Sequence, residues 1–98
     1  MNIQAMMRQA QAIQKDMMKA KEEIDNKTFE ASSSFVKVSM KGDKKIESIS
    51  IAKEELNKDD IEMLQDMLVV ALNDAMKQID KETEQKLGKY TQGMPGLF

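Results

Sequence analysis

The chain has 98 residues, 41% hydrophobic and 33% charged, with a formal net charge of -2 from 15 basic and 17 acidic side chains. It reads as one small domain without the bulk positive charge that draws a protein to nucleic acid. There is no Cys and no His, which removes disulfides, thiolate and imidazole metal sites, haem ligation and His-based triads; carboxylates could still bind Mg²⁺ or Ca²⁺, but no 12-residue calcium loop pattern appears, and no metal or cofactor is expected. No run of 18 apolar residues occurs and the N-terminal stretch carries Gln9, Gln11 and Asp16, so neither a membrane span nor a secretory signal is expected.

Residues 3–26 read as one helix. Ile3, Met6, Ala10, Ile13, Met17, Ala20 and Ile24 recur at alternating spacings of three and four, a heptad seam that Met7 and Met18 widen. No Gly or Pro interrupts it, and Ala, Gln, Met, Lys and Glu are good helix formers. At 1.5 Å per residue the helix spans roughly 36 Å.

The period then changes to two, and residues 28–51 read as three short antiparallel strands. Thr28 to Ser32 is a weakly alternating first strand, followed by the turn-like cluster Ser32-Ser33-Ser34. Val36, Val38 and Met40 alternate with Lys37, Ser39 and Lys41, the pattern of a half-buried strand. Gly42-Asp43 supplies a hairpin turn. In the returning strand Ile49 and Ile51 oppose Ser48 and Ser50, while Ile46 falls out of the alternation; a bulge and a second apolar contact both account for that.

Residues 52–57 connect to a second helix over 58–87. Asn57 is its expected N-cap, with Asp59 and Asp60 in the first turn where negative charge suits the helix dipole. Ile61, Leu64, Leu68, Ala71, Leu72, Ala75 and Ile79 mark its apolar face, broadened by Met63, Met67, Val70 and Met76. Gly88 is its expected stop, giving a length of about 45 Å. Residues 90–98, with Gly93, Pro95 and Gly96, read as a loose tail with an apolar end.

The architecture is therefore α+β: a long N-terminal helix, a three-stranded antiparallel sheet and a long C-terminal helix in a single domain spanning 1–98. Three strands at roughly 4.8 Å spacing make a sheet only about 15 Å wide, with strands near 27 Å long. Both helices outrun it, and apolar positions beyond the sheet would face water in a monomer. A two-fold homodimer, the commonest soluble oligomer, is the expected remedy. Met6, Ile13, Met17, Ile24, Leu64, Leu68, Leu72 and Asn73 are its core or dimer candidates. Asn73 is a poor helix-interior residue beside the buried face, and a bond to the connector or to the other subunit would explain it.

No catalytic constellation emerges. Glu54, Glu55, Asp59, Asp60, Glu62 and Asp66 read as capping and solvated helix surface, and Ser32, Ser33 and Ser34 lack a base to activate them. The basic residues point elsewhere. Arg8, Lys15 and Lys19 follow offsets of seven and four, on a stripe of the first helix away from the seam. Lys37 and Lys41 share the polar face of a strand, with Lys44 and Lys45 just past the turn. Doubled by two-fold symmetry, these groups would hold phosphate backbone without reading sequence. Phe29, Phe35, Tyr90 and Phe98 do not interleave with them, which argues against single-strand stacking. The Met-rich helical surface supports an alternative, a dimeric protein–protein adaptor with no direct DNA contact.

The segment Leu64-Gln65-Asp66-Met67-Leu68-Val69-Val70-Ala71-Leu72-Asn73-Asp74-Ala75, the strand Val36-Lys37-Val38-Ser39-Met40-Lys41-Gly42, Ile49-Ser50-Ile51 and the tail Gly93-Met94-Pro95-Gly96 together resemble the YbaB/EbfC family of bacterial nucleoid-associated proteins. The resemblance spans nearly the full length and is most specific in the Asn-Asp-Ala helix segment. It implies an intertwined, tweezer-shaped homodimer that binds double-stranded DNA with little sequence preference, lies in the cytoplasm at the nucleoid, and influences nucleoid organisation or gene expression without enzymatic activity. Two features depart from the family pattern. Ala31 to Phe35 carries three Ser where many relatives are Gly-rich, and Arg8 is the chain's single arginine.

Overall fold

Asn2 starts the first helix, its Oδ1 accepting from the Ala5 amide at 3.3 Å. Helix α1 runs Ile3–Asn26 and closes where the Lys27 amide donates to the Ile24 carbonyl at 3.0 Å. Strands β1 (Thr28–Ser33), β2 (Val36–Lys41) and β3 (Ile46–Ile51) follow, then helix α2 (Lys58–Thr91). The computed structural model describes residues 2–91. The expected α+β order of helix, three-stranded antiparallel sheet and long second helix is what the structure shows.

The strands form a meander in the order β1-β2-β3. The tight turn between β1 and β2 is Ser34-Phe35, since Ser33 still pairs with Val36; Ser32 and Ser33 belong to the strand rather than to the expected polar turn. Ser34 takes the left-handed conformation with φ 53°. The misplaced Ile46 is explained by a bulge. Ser39 pairs with Ser48 but Met40 pairs with Ile46, which leaves Glu47 as an extra residue in β3 and returns Ile46 to the apolar face.

One face of the sheet is apolar: Phe29 and Ala31 on β1, Val36, Val38 and Met40 on β2, all buried. Helix α2 lies across it with the ridge Met67, Ala71, Ala75 and Ile79. The two alanines, both fully buried, let the helix backbone approach the sheet closely. Farther along, Ile79, Leu87 and Tyr90 meet Ile24, Ala20 and Met17 of α1. Those late contacts explain why α2 passes through Gly88 to Thr91 and does not stop at 87 as expected. Leu87 is buried and Tyr90 half-buried, and their packing outweighs the roughly 1 kcal/mol helix penalty of a glycine.

The helices overhang the sheet. Helix α2 alone is about 51 Å long. The molecule measures 71 × 21 × 14 Å with a radius of gyration of 19.3 Å, against roughly 13 Å for a compact globule of this length. Every described residue from Asn2 to Asp16 is exposed, so the first half of α1 projects as a free arm. The greater part of the expected tail, 92–98, lies outside the described residues.

Candidate nucleic-acid interface

The seven basic candidates fall into two groups with different electrostatics. Arg8, Lys15 and Lys19 stand exposed on α1. Offsets of seven and four keep them on one stripe over about 17 Å of helix, roughly opposite the seam of Ile3, Met6, Ala10 and Ile13. Among the described residues none of the three has an ion-pair partner. From Asn2 to Lys15 the helix holds two cationic side chains and no acidic one.

Two of the four lysines in the second group are answered by carboxylates. Lys37 Nζ lies 3.2 Å from Glu30 Oε2 on the neighbouring strand. Lys44 Nζ, in the β2–β3 turn, lies 3.1 Å from Asp80 Oδ1 on α2. Lys41 is half-buried and Lys45 exposed. The outer face of the sheet also carries Glu47, which accepts from the Thr28 hydroxyl at 2.8 Å. Glu30 and Glu47 thus stand among Lys37, Lys41 and Lys45 on this face, and of these three lysines only Lys37 has an ion-pair partner among the described residues. The structure does not merge the two groups into one surface within a chain.

Among the described residues the aromatic rings offer no stacking platform. Phe29 is buried, and lysines cover Phe35 and Tyr90: Lys53 Nζ sits 5.3 Å from the Phe35 ring centroid and Lys89 Nζ 5.0 Å from that of Tyr90. Among the described residues no group of three or more His, Cys, Asp or Glu could hold a metal ion, and no helix is long and apolar enough to cross a membrane.

The acidic cluster before α2 is a cap. The Asp60 amide donates to Asn57 Oδ1 at 3.0 Å and the Asn57 amide donates to Asp60 Oδ2 at 3.0 Å, a reciprocal pair of the capping-box kind. Lys53 Nζ adds a hydrogen bond to Asp60 Oδ1 at 2.7 Å. That bond first, and the Asn57 amide second, hold the buried Asp60 carboxyl below its ordinary value. The Lys53 contact has no local signature, because its seven-residue offset across a connector follows no helical or strand period.

The core and dimer candidates divide by depth. Ile24 is in the core; Met17, Leu64, Leu68 and Leu72 lie half-buried at its margin; Met6, Ile13 and Asn73 are exposed. Asn73 does not reach the connector, and beside it Asp74 Oδ2 accepts from Gln78 at 3.3 Å. An apolar surface outside those candidates is the inner side of β3. Ile46, Ile49 and Ile51 face the same way as Met40, Val38 and Val36, yet they are 51%, 45% and 39% exposed, because α2 covers β1 and β2 and makes no contact with β3. Gln78 of α2 donates to the Glu30 carbonyl on β1, so the opposite flank of α2, with Leu72 and Met76, turns toward this uncovered strip.

Residues 1–94 match the model of the YbaB/EbfC DNA-binding family. A nucleoid-associated protein of Ligilactobacillus salivarius is 46% identical over 99 residues, covering 99% of this chain and 95% of its own. One from Lactococcus lactis subsp. cremoris is 48% identical over 97 residues, covering 97% and 98%. The crystal structure of an uncharacterized Helicobacter pylori protein superposes with a TM-score of 0.68 at 22% identity, covering 87% of this chain and 91% of that one; it shows the shared fold.

Proposed function

The chain belongs to the YbaB/EbfC DNA-binding family, and from that premise we propose a nucleoid-associated homodimer that grips duplex DNA through the basic stripe of its projecting α1 arms. Arg8, Lys15 and Lys19 carry the reading. They form a row of cations on an exposed helix with no ion-pair partner among the described residues, whereas Lys37 and Lys44 are already paired with Glu30 and Asp80. Contacts of Lys and Arg with phosphate release condensed counterions and read no base, so binding is salt-sensitive and has little sequence preference. The net charge of -2 matters less than this local separation, since fields at ordinary ionic strength decay within about 8 Å. The protein acts in the bacterial cytoplasm at the nucleoid.

The dimer brings two arms to one duplex. The uncovered strip of Ile46, Ile49 and Ile51, flanked by Leu72 and Met76, is the surface that supports self-association. Covering the exposed part of each isoleucine contributes about 1 kcal/mol, and two-fold symmetry counts every contact twice.

Titrating binding to unrelated duplexes against salt tests this function. The expected result is similar affinity on each duplex and a steep fall with salt. The combined variant Arg8→Ala/Lys15→Ala/Lys19→Ala removes six charges per dimer and should flatten the slope of log K against log salt by up to about 5. Absence of binding at low ionic strength overturns the function. Unchanged affinity in the triple variant removes the arm from the interface.

A further inference from the structure

We propose that Gln4 and Gln11 are uncharged contacts to the DNA phosphates, interleaved with the cations of the α1 arm; the proposal rests on the arm being the DNA-binding element. Gln4, Arg8, Gln11 and Lys15 follow one another at offsets of four, three and four. They fall on a single stripe of the helix over about 16 Å. All four side chains are exposed. Neither amide has a hydrogen-bond partner among the described residues. No residue from Asn2 to Asp16 is buried, so packing does not account for them, and from Asn2 to Lys15 there is no carboxylate to engage them.

A DNA strand presents one phosphate about every 3.4 Å of duplex axis. An arm lying along the backbone passes about five of them between Gln4 and Lys15, while that stretch holds two cations, Arg8 and Lys15. Phosphate oxygens accept from neutral amides as well as from cations, and a Gln amide carries two N–H donors. At 3.6 residues per turn, Gln4 and Gln11 border the row of Arg8, Lys15 and Lys19 on one side, and Ala5 and Ala12 border it on the other. Donors are therefore available along one border only, which seats the phosphate backbone against the Gln4–Gln11 side of the row. Gln9 and Gln14 lie about 100° around the helix from Arg8 and Lys15 and stand off the stripe. A neutral contact also responds to salt differently. Lys and Arg displace condensed counterions and an amide displaces none, so the arm combines a salt-dependent with a salt-independent part of its affinity.

Fluorescence anisotropy of the full chain on two labelled duplexes of unrelated sequence, over a range of salt, separates the two parts. Gln4→Ala/Gln11→Ala should bind both duplexes about tenfold more weakly at every salt concentration, with the slope of log K against log salt unchanged. Ala is the best helix former, so the substitution does not loosen the arm. Gln9→Ala/Gln14→Ala makes the same chemical change off the stripe and should bind as the parent does. Gln4→Lys/Gln11→Lys adds four cations per dimer and should steepen the slope by up to about 4. Affinity within about twofold of the parent in Gln4→Ala/Gln11→Ala, equal losses in the two Ala pairs, or an unchanged slope in the Lys pair overturns the proposal. A loss confined to one duplex overturns it too and assigns the amides to base edges. A parent that does not bind at low ionic strength overturns the DNA-binding function itself, and this proposal with it.

Discussion

A Cβ atom built on Gly42 would lie 1.8 Å from the carbonyl oxygen of Ile24. The turn between β2 and β3 is pressed against the last turn of α1, and the Gly42 amide donates to the Lys27 carbonyl at 3.0 Å. The left-handed residue of that turn is Lys44, with φ 71°. Gly42 is therefore required for close approach more than for turn geometry. The opposing atoms are backbone and cannot rotate away. Gly42→Ala should lower stability by about 3 kcal/mol, at the upper end for overpacking, as measured by urea denaturation. A loss within experimental error would mean that α1 is free to lift from the hairpin.

The Asn57–Asp60 cap gives a mutational and a pH prediction. Asn57→Ala should cost about 1 kcal/mol. Asp60 is held below its ordinary value by Lys53 and the Asn57 amide, so folding favours its ionised form. Its contribution is complete above the unfolded carboxylate range, near pH 4, and is lost as pH falls through the lowered folded value. Asp60→Asn removes that part of the acid dependence. Denaturation followed between pH 7 and pH 2 checks the sign: the gap between parent and variant should close at the acid end.

Ile49 separates folding from association. Its side chain is 45% exposed in the single chain, so Ile49→Asp should change protomer stability by no more than about 1 kcal/mol. The same substitution puts a charge into the proposed dimer surface. Sedimentation velocity should show a folded species of half the parent mass. A variant that remains dimeric would move the interface away from β3.

The two lysine groups should differ on DNA. Lys37 and Lys44 already pair with Glu30 and Asp80, and Lys37→Ala/Lys44→Ala should alter duplex affinity by less than about threefold at low salt. The arm variant should lose at least about tenfold under the same conditions. Fluorescence anisotropy on one labelled duplex compares them directly, and equal losses would spread the interface over the sheet.

Local periodicity was enough to read α1, the central strand and the cap of α2. The three-and-four spacing from Ile3 to Ile24 and the alternation of Val36, Val38 and Met40 reflect backbone hydrogen-bond geometry, which repeats along the chain and leaves its mark on neighbouring residues. Asn57 and Asp60 were legible for the same reason, lying three residues apart within one turn. What the tertiary structure decided is where each face ends up. Ile49 and Ile51 alternate as inward residues do, but α2 stops short of β3 and leaves them open. Gly88 has the local character of a helix stop, yet Leu87 and Tyr90 gain enough against α1 to carry the helix through. Lys37 and Lys44 resembled Arg8 and Lys15 as basic candidates until pairing set Glu30 and Asp80 beside them. Partners brought together by folding set the electrostatics at each lysine, and their separation along the chain follows no local period.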